Sequence, residues 1–356
     1  MQIQIAKSVL ENILIHTQPF LEKKDLSQIT SHLYFEATAS NTLTVKATDY
    51  EIGLLIEAKG IHVSEPGMAT ANGKKLLDIV RILKEGDINL STANGMLDIT
   101  QGSSDFQLPM YNAQEFPPFA AVENKPGIEI DSMLLINSLK KITPAADTNN
   151  PKFELNGALI DIKNGQINFV ATDTRRLAII AIPQTTETEL SLIIPKKAII
   201  EIQKLFANNI DIHYDATHLL IKSDQYTFFT KLINGKFPDY NRIIPNNTNY
   251  NVTLPKNEFV NAIKQITTIS NDMKLTLEAD KIHFESLSDE NNKATTEIDV
   301  KTGIPSPFTL AVNSRYLLDF LGQVEQSDFT LGLNEPNLPF LLSENDFKTI
   351  VMPIVI

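Results

Sequence analysis

The tripeptide Ala-Thr-Asp stands at two matching places, in Lys46-Ala47-Thr48-Asp49-Tyr50-Glu51-Ile52 and in Phe169-Val170-Ala171-Thr172-Asp173-Thr174-Arg175-Arg176-Leu177-Ala178. Both copies set a polar run between apolar flanks, the pattern of strand, tight turn, strand. A turn repeated this way constrains the fold strongly, because it implies copies of one domain. It also constrains chemistry. Asp49 and Asp173 could be imagined as an acid/base pair, but equivalent places in a repeat keep them apart. Their expected role is to accept turn amides.

Other landmarks recur with the turn. Each third opens with a short strand and an amphipathic helix. In the first, Met1-Gln2-Ile3-Gln4-Ile5 alternates, and Leu10, Ile13, Leu14 and Thr17 then follow the spacing of a buried helical face. In the second, Ile128-Glu129-Ile130 leads through the N-cap pair Asp131-Ser132 to Leu135, Leu139 and Ile142. In the third the face is Phe259, Ile263 and Ile266. Hairpins follow, the clearest at Lys163-Asn164-Gly165-Gln166, where Asn-Gly suits the positive φ angles of a type I′ turn. A second helix comes next, faced by Leu76, Val80 and Leu83, then by Ile199, Ile202 and Phe206, then by Leu317, Phe320, Leu321 and Val324.

Three strands are expected to close each copy: 87–91, 96–100 and 106–110; 210–214, 219–223 and 227–233; 329–333, 339–343 and 348–356. The first two copies end on related tails, Phe116-Pro117-Pro118-Phe119 and Phe237-Pro238-Asp239-Tyr240. At 356 residues the chain exceeds one ordinary core. Polar, turn-rich stretches divide it into expected domains 1–122, 123–247 and 248–356. The alternating patterns predict α+β domains, each of mostly antiparallel sheet with two helices on one face.

Charge points to a partner. Lysine and arginine number 31 against 43 aspartates and glutamates, and a net charge of −12 speaks against an ordinary nucleic-acid binder. The charge is segregated, however. The six helical windows together carry about +6, leaving about −18 elsewhere, although the window 314–325 is itself acidic. The expected arrangement is a helical surface facing polyanion, with the sheets turning repelling charge outward. With few aromatics on the helices and no arginine-rich recognition helix, contact would be to phosphate, blind to sequence and sensitive to salt.

Several chemistries lack their motifs. There is no Gly-x-x-x-x-Gly-Lys-Ser/Thr, Gly-x-Gly-x-x-Gly, His-Glu-x-x-His or Gly-x-Ser-x-Gly. The six histidines are scattered, and His213 and His218 flank a hairpin turn, so no metal or other cofactor is expected. The chain has no cysteine, which removes disulfides and thiolate metal sites and suits a cytoplasmic location. No signal peptide is expected, and no apolar run approaches the roughly 18 residues of a membrane span.

The turn Ala171-Thr172-Asp173-Thr174-Arg175-Arg176-Leu177-Ala178, the tail Phe237-Pro238-Asp239-Tyr240-Asn241-Arg242-Ile243-Ile244-Pro245 and the terminal Val351-Met352-Pro353 closely resemble the bacterial DNA polymerase III beta-subunit family, the sliding clamps. The resemblance runs the full chain. It implies a non-catalytic DNA clamp fold, a head-to-tail homodimer whose six domains close a ring around duplex DNA. It also implies partners: the polymerase alpha subunit, an ATP-driven clamp loader, and other replication and repair proteins. These carry short peptides with Leu and Phe anchors and bind a groove between the second and third domains.

Carried over motif by motif, the groove involves Leu155, Thr172, Arg176, Leu177, Pro238, Arg242, Ile243, Val351, Met352 and Pro353. Apolar members would desolvate the anchors, and the two arginines, Arg176 and Arg242, would hold polar groups and carboxylates of the peptide. Two stretches of the groove depart from the family pattern. Thr174 and Arg175 make one side more basic, and Ile354, in the ending Ile354-Val355-Ile356, makes the other more apolar. An apolar chain end should be covered or used. The DNA-facing cations would be Lys24, Lys74, Lys75, Arg81, Lys140, Lys141, Lys196, Lys197, Lys204, Lys264 and Arg315, Lys24 being the best remaining one in the loop 24–29. Phe106 and Leu108 match the family's ring joint, with Ile269 the expected opposing residue. Two other readings remain open on sequence: a peptide-binding scaffold that never encircles DNA, and a hydrolase using Asp173 and Arg176 in a cleft.

Overall fold

The structure, a computed structural model, describes residues 1–25, 28–120, 122, 124–183, 189–288 and 292–355. The first repeat runs β1 (Gln2–Ala6), α1 (Lys7–Thr17), β2 (His32–Thr38), β3 (Thr42–Thr48), β4 (Ile52–Lys59), β5 (His62–Glu65), β6 (Gly67–Asn72), α2 (Gly73–Ile82), β7 (Asp87–Ala93), β8 (Met96–Gln101) and β9 (Ser104–Pro109). The second runs α3 (Ser132–Ile142), β10 (Gly157–Lys163), β11 (Gln166–Thr172), β12 (Arg176–Pro183), β13 (Leu190–Pro195), α4 (Lys196–Leu205), β14 (Asp211–Tyr214), β15 (His218–Lys222) and β16 (Tyr226–Lys231). The third runs β17 (Tyr250–Pro255), α5 (Lys256–Ile266), β18 (Asp272–Leu277), β19 (Lys281–Ser286), β20 (Thr295–Asp299), β21 (Phe308–Asn313), α6 (Ser314–Leu321), β22 (Asp328–Leu333), β23 (Phe340–Glu344) and β24 (Phe347–Val351).

Every strand pairing among the described residues is antiparallel. The helical faces are those the periodicity predicts: Leu10, Ile13, Leu14 and Thr17 are buried on α1, and Phe259, Ile263 and Ile266 on α5. Asn164 and Gly165 take φ of 52° and 72°, as the type I′ turn requires.

Two expectations fail locally. The second repeat has no opening strand at 128–130. A single bridge joins Gly127 to His213, with the Ile128 amide on the Ile212 carbonyl at 2.9 Å; further along, the Ile210 amide donates to the Ser132 hydroxyl at 3.2 Å instead of to backbone. The last strand stops at Val351 instead of continuing to 356, since Pro353 cannot continue a ladder. The chain end is covered in part: the Ile354 amide donates to the Ala311 carbonyl at 2.8 Å, while Val355 is exposed and Ile356 lies outside the described residues.

Backbone contacts divide the chain into two compact units, Met1–Met133 with Glu201–Leu232 and Leu134–Ile200 with Ile233–Ile356. Each holds one long sheet that joins strands of the second repeat to those of a neighbouring repeat. The orders are β14-β15-β16-β4-β3-β2-β6 and β13-β10-β11-β12-β24-β23-β22-β17. Shorter sheets run β5-β1-β7-β8-β9 and β20-β19-β18-β21.

One rule makes both seams. The strand after the Thr-Asp turn pairs with the closing strand of the next repeat. In the first unit Ile52 faces Thr230 and Gly53 faces Phe229; in the second Arg176 faces Val351 and Leu177 faces Ile350. The register is the same in both. Even the flanking bond repeats, Lys231 N to Glu51 O at 2.8 Å and Met352 N to Arg175 O at 2.9 Å. What differs is the filling. A methyl on Gly53 would stand 2.2 Å from the Phe229 ring, whereas the second seam places Leu177 against the smaller Ile350.

This packing generates a test. Gly53→Leu should destabilise the first unit by about 2 kcal/mol or more through overpacking. Adding Phe229→Ile, which rebuilds the filling of the second seam, should recover a large part of it. Denaturant melts of the single and double variants check this; no recovery would refute the equivalence of the seams.

Candidate functional site

The turn that organises the sequence is built identically in both copies. Thr48 Oγ1 donates to the Ile52 carbonyl at 2.8 Å, and Thr172 Oγ1 to the Arg176 carbonyl at 2.6 Å. Asp49 Oδ1 accepts the Glu51 and Ile52 amides, and Asp173 Oδ1 the Arg175 and Arg176 amides, all at 3.0 Å. Tyr50 and Thr174 occupy the same left-handed backbone, at φ 72° and 77°. Both aspartates accept turn amides, as the repeat implies.

The copies diverge at the next residue. Where the first has Ile52, the second has Arg176, only 6% exposed and fully engaged within the fold. Its Nε donates to Asp173 Oδ2 at 3.0 Å, Nη1 to Asp319 Oδ2 at 2.6 Å and Nη2 to the Pro144 carbonyl at 2.5 Å. The guanidinium carbon lies 4.7 Å from the centre of the Tyr316 ring. The planar fork thus ties the turn to α6 and to the one-turn helix Thr143–Ala145. Arg176, expected in the groove, therefore also holds the fold together through three internal partners.

Leu177, one residue on, is buried in a cluster with Leu159, Val170, Ile179, Ile193, Phe237, Tyr240 and Ile350. Leu155, Thr172 and Val351 are also buried; Pro238, Pro353 and Ile354 are half-buried. Thr174, Arg175, Arg242, Ile243 and Met352 are exposed, Ile243 at 40% and Met352 at 39%. The exposed apolar residues stand close to the cluster in the chain, Met352 just beyond Ile350, and Ile243 with its amide on the Tyr240 carbonyl at 3.1 Å. Arg242 pairs with Asp239 at 2.8 Å. Tyr240 anchors the tail by donating to Asp161 at 2.7 Å, and burial, with that carboxylate, holds its hydroxyl protonated well above the usual range.

Beside the turn lies a polar cavity of about 370 Å³, lined by Pro144, Asp147, Asp173, Arg175, Arg176, Lys196, Asn313, Arg315 and Tyr316 among others. The sequence reading missed Tyr316, Asp319 and Asn313 as neighbours of the turn. One signal did hint at them: Asp319 and Glu325 are what make the last helical window acidic, and they pair with Arg176 and Lys141.

The cations assigned to DNA fall into groups. Lys24, Lys74, Lys75, Lys140, Lys197 and Lys264 are exposed. Lys141 is held by Glu325 at 3.0 Å and buried Glu344 at 3.7 Å, Lys204 by Glu201 at 2.8 Å, and Arg81 lies 4.0 Å from Glu11. Lys196 and Arg315 line the cavity. Of the loop around Lys24, Leu26 and Ser27 lie outside the described residues. Phe106 is half-buried and Leu108 buried on β9, while Ile269 is 41% exposed just past α5. Among the described residues no acidic, histidine or cysteine cluster could hold a metal, and no helix is long and apolar enough to cross a membrane.

Three family models match the chain. Those of the DNA polymerase III beta subunit N-terminal, central and C-terminal domains match residues 1–120, 129–239 and 241–355. A Helicobacter pylori protein named beta sliding clamp is 38% identical over 375 residues, covering 100% of both chains. A namesake from Caulobacter vibrioides is 28% identical over 374 residues, covering 99% of this chain and 100% of its own. The crystal structure of the Helicobacter pylori beta clamp bound to a DNA ligase peptide is similar with a TM-score of 0.93 at 38% identity, covering 100% of both chains. The sliding clamp from Pseudomonas aeruginosa with ligand is similar at 0.90 and 25% identity, again with 100% coverage of both.

The two arginines of the turn should respond differently to a charge-conserving change. Arg176→Lys should cost about 2 kcal/mol or more, since an ammonium cannot serve three fixed partners. Arg175→Lys, at an exposed position, should stay within about 0.5 kcal/mol. Denaturant midpoints of both variants measure this.

Proposed function

The chain belongs to the DNA polymerase III beta subunit family, and from that premise we propose that it is a processivity clamp, a non-catalytic protein that encircles duplex DNA as a head-to-tail homodimer. It tethers the replicative polymerase and other replication and repair proteins through a groove in the second unit, at the seam of repeats two and three. Its setting is the cytoplasm, with a clamp loader opening the ring. The three domains divide near residues 122 and 247.

One observation carries the dimer: the seam rule. Each seam joins a post-turn strand to a closing strand. By sheet order β20 is the third repeat's counterpart of β4 and β12, and β9 is the first repeat's closing strand; each pairs on one side only among the described residues. A second copy supplies what each lacks, and head-to-tail use of both edges closes the assembly without an open edge of either class. Applied with the register of the other seams, the rule sets Thr296 opposite Ser104 and Thr295 opposite Asp105. Phe106 and Leu108 lie on that same strand, with Ile269 as the apolar residue opposing them.

The exposed helix lysines support sequence-blind contact with phosphate: an acidic protein that carries its cations on helices is held near DNA without being fixed to one sequence. The groove draws on the Leu177 cluster and its apolar rim, Pro238, Ile243, Met352, Pro353 and Ile354, with Thr174 and Arg175 on the polar side. A hydrolase reading finds little support, because Asp173 is engaged by two amides and Arg176, and the guanidinium by three partners.

Loaded protein should remain on closed circular DNA and run off once the circle is cut; equal retention on both would sink the clamp reading. Asp105→Cys with Thr295→Cys in one chain should give a disulfide-linked dimer under mild oxidation, since facing strand residues bring Cα atoms within bridging distance. A dimer that persists in sedimentation yet fails to cross-link would overturn the register.

A further inference from the structure

The polar cavity beside the turn gathers Arg175, from the polar side of the groove, with Lys196 and Arg315, which reach it from two helices. Four cations, Arg175, Arg176, Lys196 and Arg315, face it, against two carboxylates, Asp147 and Asp173. Both carboxylates are bonded close by: Asp173 to two amides and Arg176, Asp147 to the Thr148 amide at 2.6 Å and the Asn150 side chain at 2.9 Å. Arg176 is matched by Asp173 and Asp319. Among the described residues Arg315 has only a long carboxylate contact, 3.9 Å, to that same Asp319 oxygen. No carboxylate of the described residues lies within 4.0 Å of the Arg175 guanidinium.

The backbone adds to the same sign. Lys196 is the first residue of α4 and Arg315 the second of α6, so the positive ends of two helices reach the cavity. Burial, then Arg176 and Arg315, hold the Lys196 ammonium below its usual range, as a cation among cations should be. Arg175 also joins the cavity to the apolar rim, its carbonyl accepting the Met352 amide at 2.9 Å.

We propose that this cavity is a carboxylate subsite of the peptide groove, in which an aspartate or glutamate next to a client's apolar anchors sits among Arg175, Lys196 and Arg315. The inference rests on the groove reading above. Its occupant is a single acidic side chain and not a polyanion, because the two wall carboxylates oppose a second negative charge. A net charge of −12 repels acidic peptides at long range. A preference for them must therefore come from this local field.

Two synthetic peptides with the same Leu and Phe anchors, differing only in Glu or Gln beside them, separate the ideas by fluorescence anisotropy at low salt. Wild type should bind the Glu peptide about tenfold more tightly, the scale of a charge-assisted contact. In Arg175→Gln/Arg315→Gln, both at exposed positions, that ratio should fall to about one. Equal affinities in wild type, or a ratio that survives in the double variant, would overturn the subsite while leaving the groove standing. If wild type bound neither peptide, the groove reading itself would fall, and the subsite with it.

Discussion

Backbone pairing between repeats is the constraint on which everything else depends. Left open, the seam strands of a repeat would present a row of amides and carbonyls ready to pair with another chain. Joining a post-turn strand to the next closing strand satisfies them within the chain twice, at β4 with β16 and at β12 with β24. The compact units follow these sheets and not the sequence repeats, so that the second repeat contributes to both. A chain of three such repeats must end with one unpaired member of each class, which is why a second copy belongs to the logic of the fold.

Identical register lets side chains be compared position by position, and the comparison isolates where the two seams differ. At the first seam Gly53 leaves room that the Phe229 ring fills, with Phe119 edge-on to it at 5.1 Å between centres. At the second, Leu177 and Ile350 meet, Tyr240 takes the tail position, and Met352 and Ile243 remain exposed. One seam is sealed by aromatics; the other keeps an apolar surface open. The Thr-Asp turn needs only its amide acceptors to form, so both copies share them, whereas Arg176 exists in one copy because only there does a helix offer Asp319 and Tyr316.

Much of the fold was legible because it is local. Helical faces such as Leu10, Ile13, Leu14 and Thr17 follow from periodicity, and the Asn164-Gly165 turn from its φ requirement. The missed features are those whose cause lies elsewhere. Alternation at 128–130 suggests a strand, but pairing there is limited to one bridge because the Ile210 amide goes to the Ser132 side chain. The fate of Arg176 depended on Asp319, 143 residues away, and on a backbone carbonyl at Pro144 that has no sequence signature. The groove residues were read through resemblance, but whether each is a wall, a rim or a strut is a matter of burial, which only the packing decides.

The same distinction refines the charge argument. Counting cations by helix treats them as one population, yet the structure divides them by partner. Lys141 and Arg176 are neutralised by the two acids that spoil the sixth window, so that apparent exception is internal structure rather than a break in the outward pattern. Lys196 and Arg315 face the cavity beside Arg175, which leaves Lys74, Lys75, Lys140, Lys197 and Lys264 as exposed helix cations that do not line it. Fewer cations are therefore available for phosphate contact than the sequence tally suggests. Weak, non-specific attraction suits a protein that must stay on DNA by topology and move along it, while its directional ionic contacts are kept for the fold and for its clients.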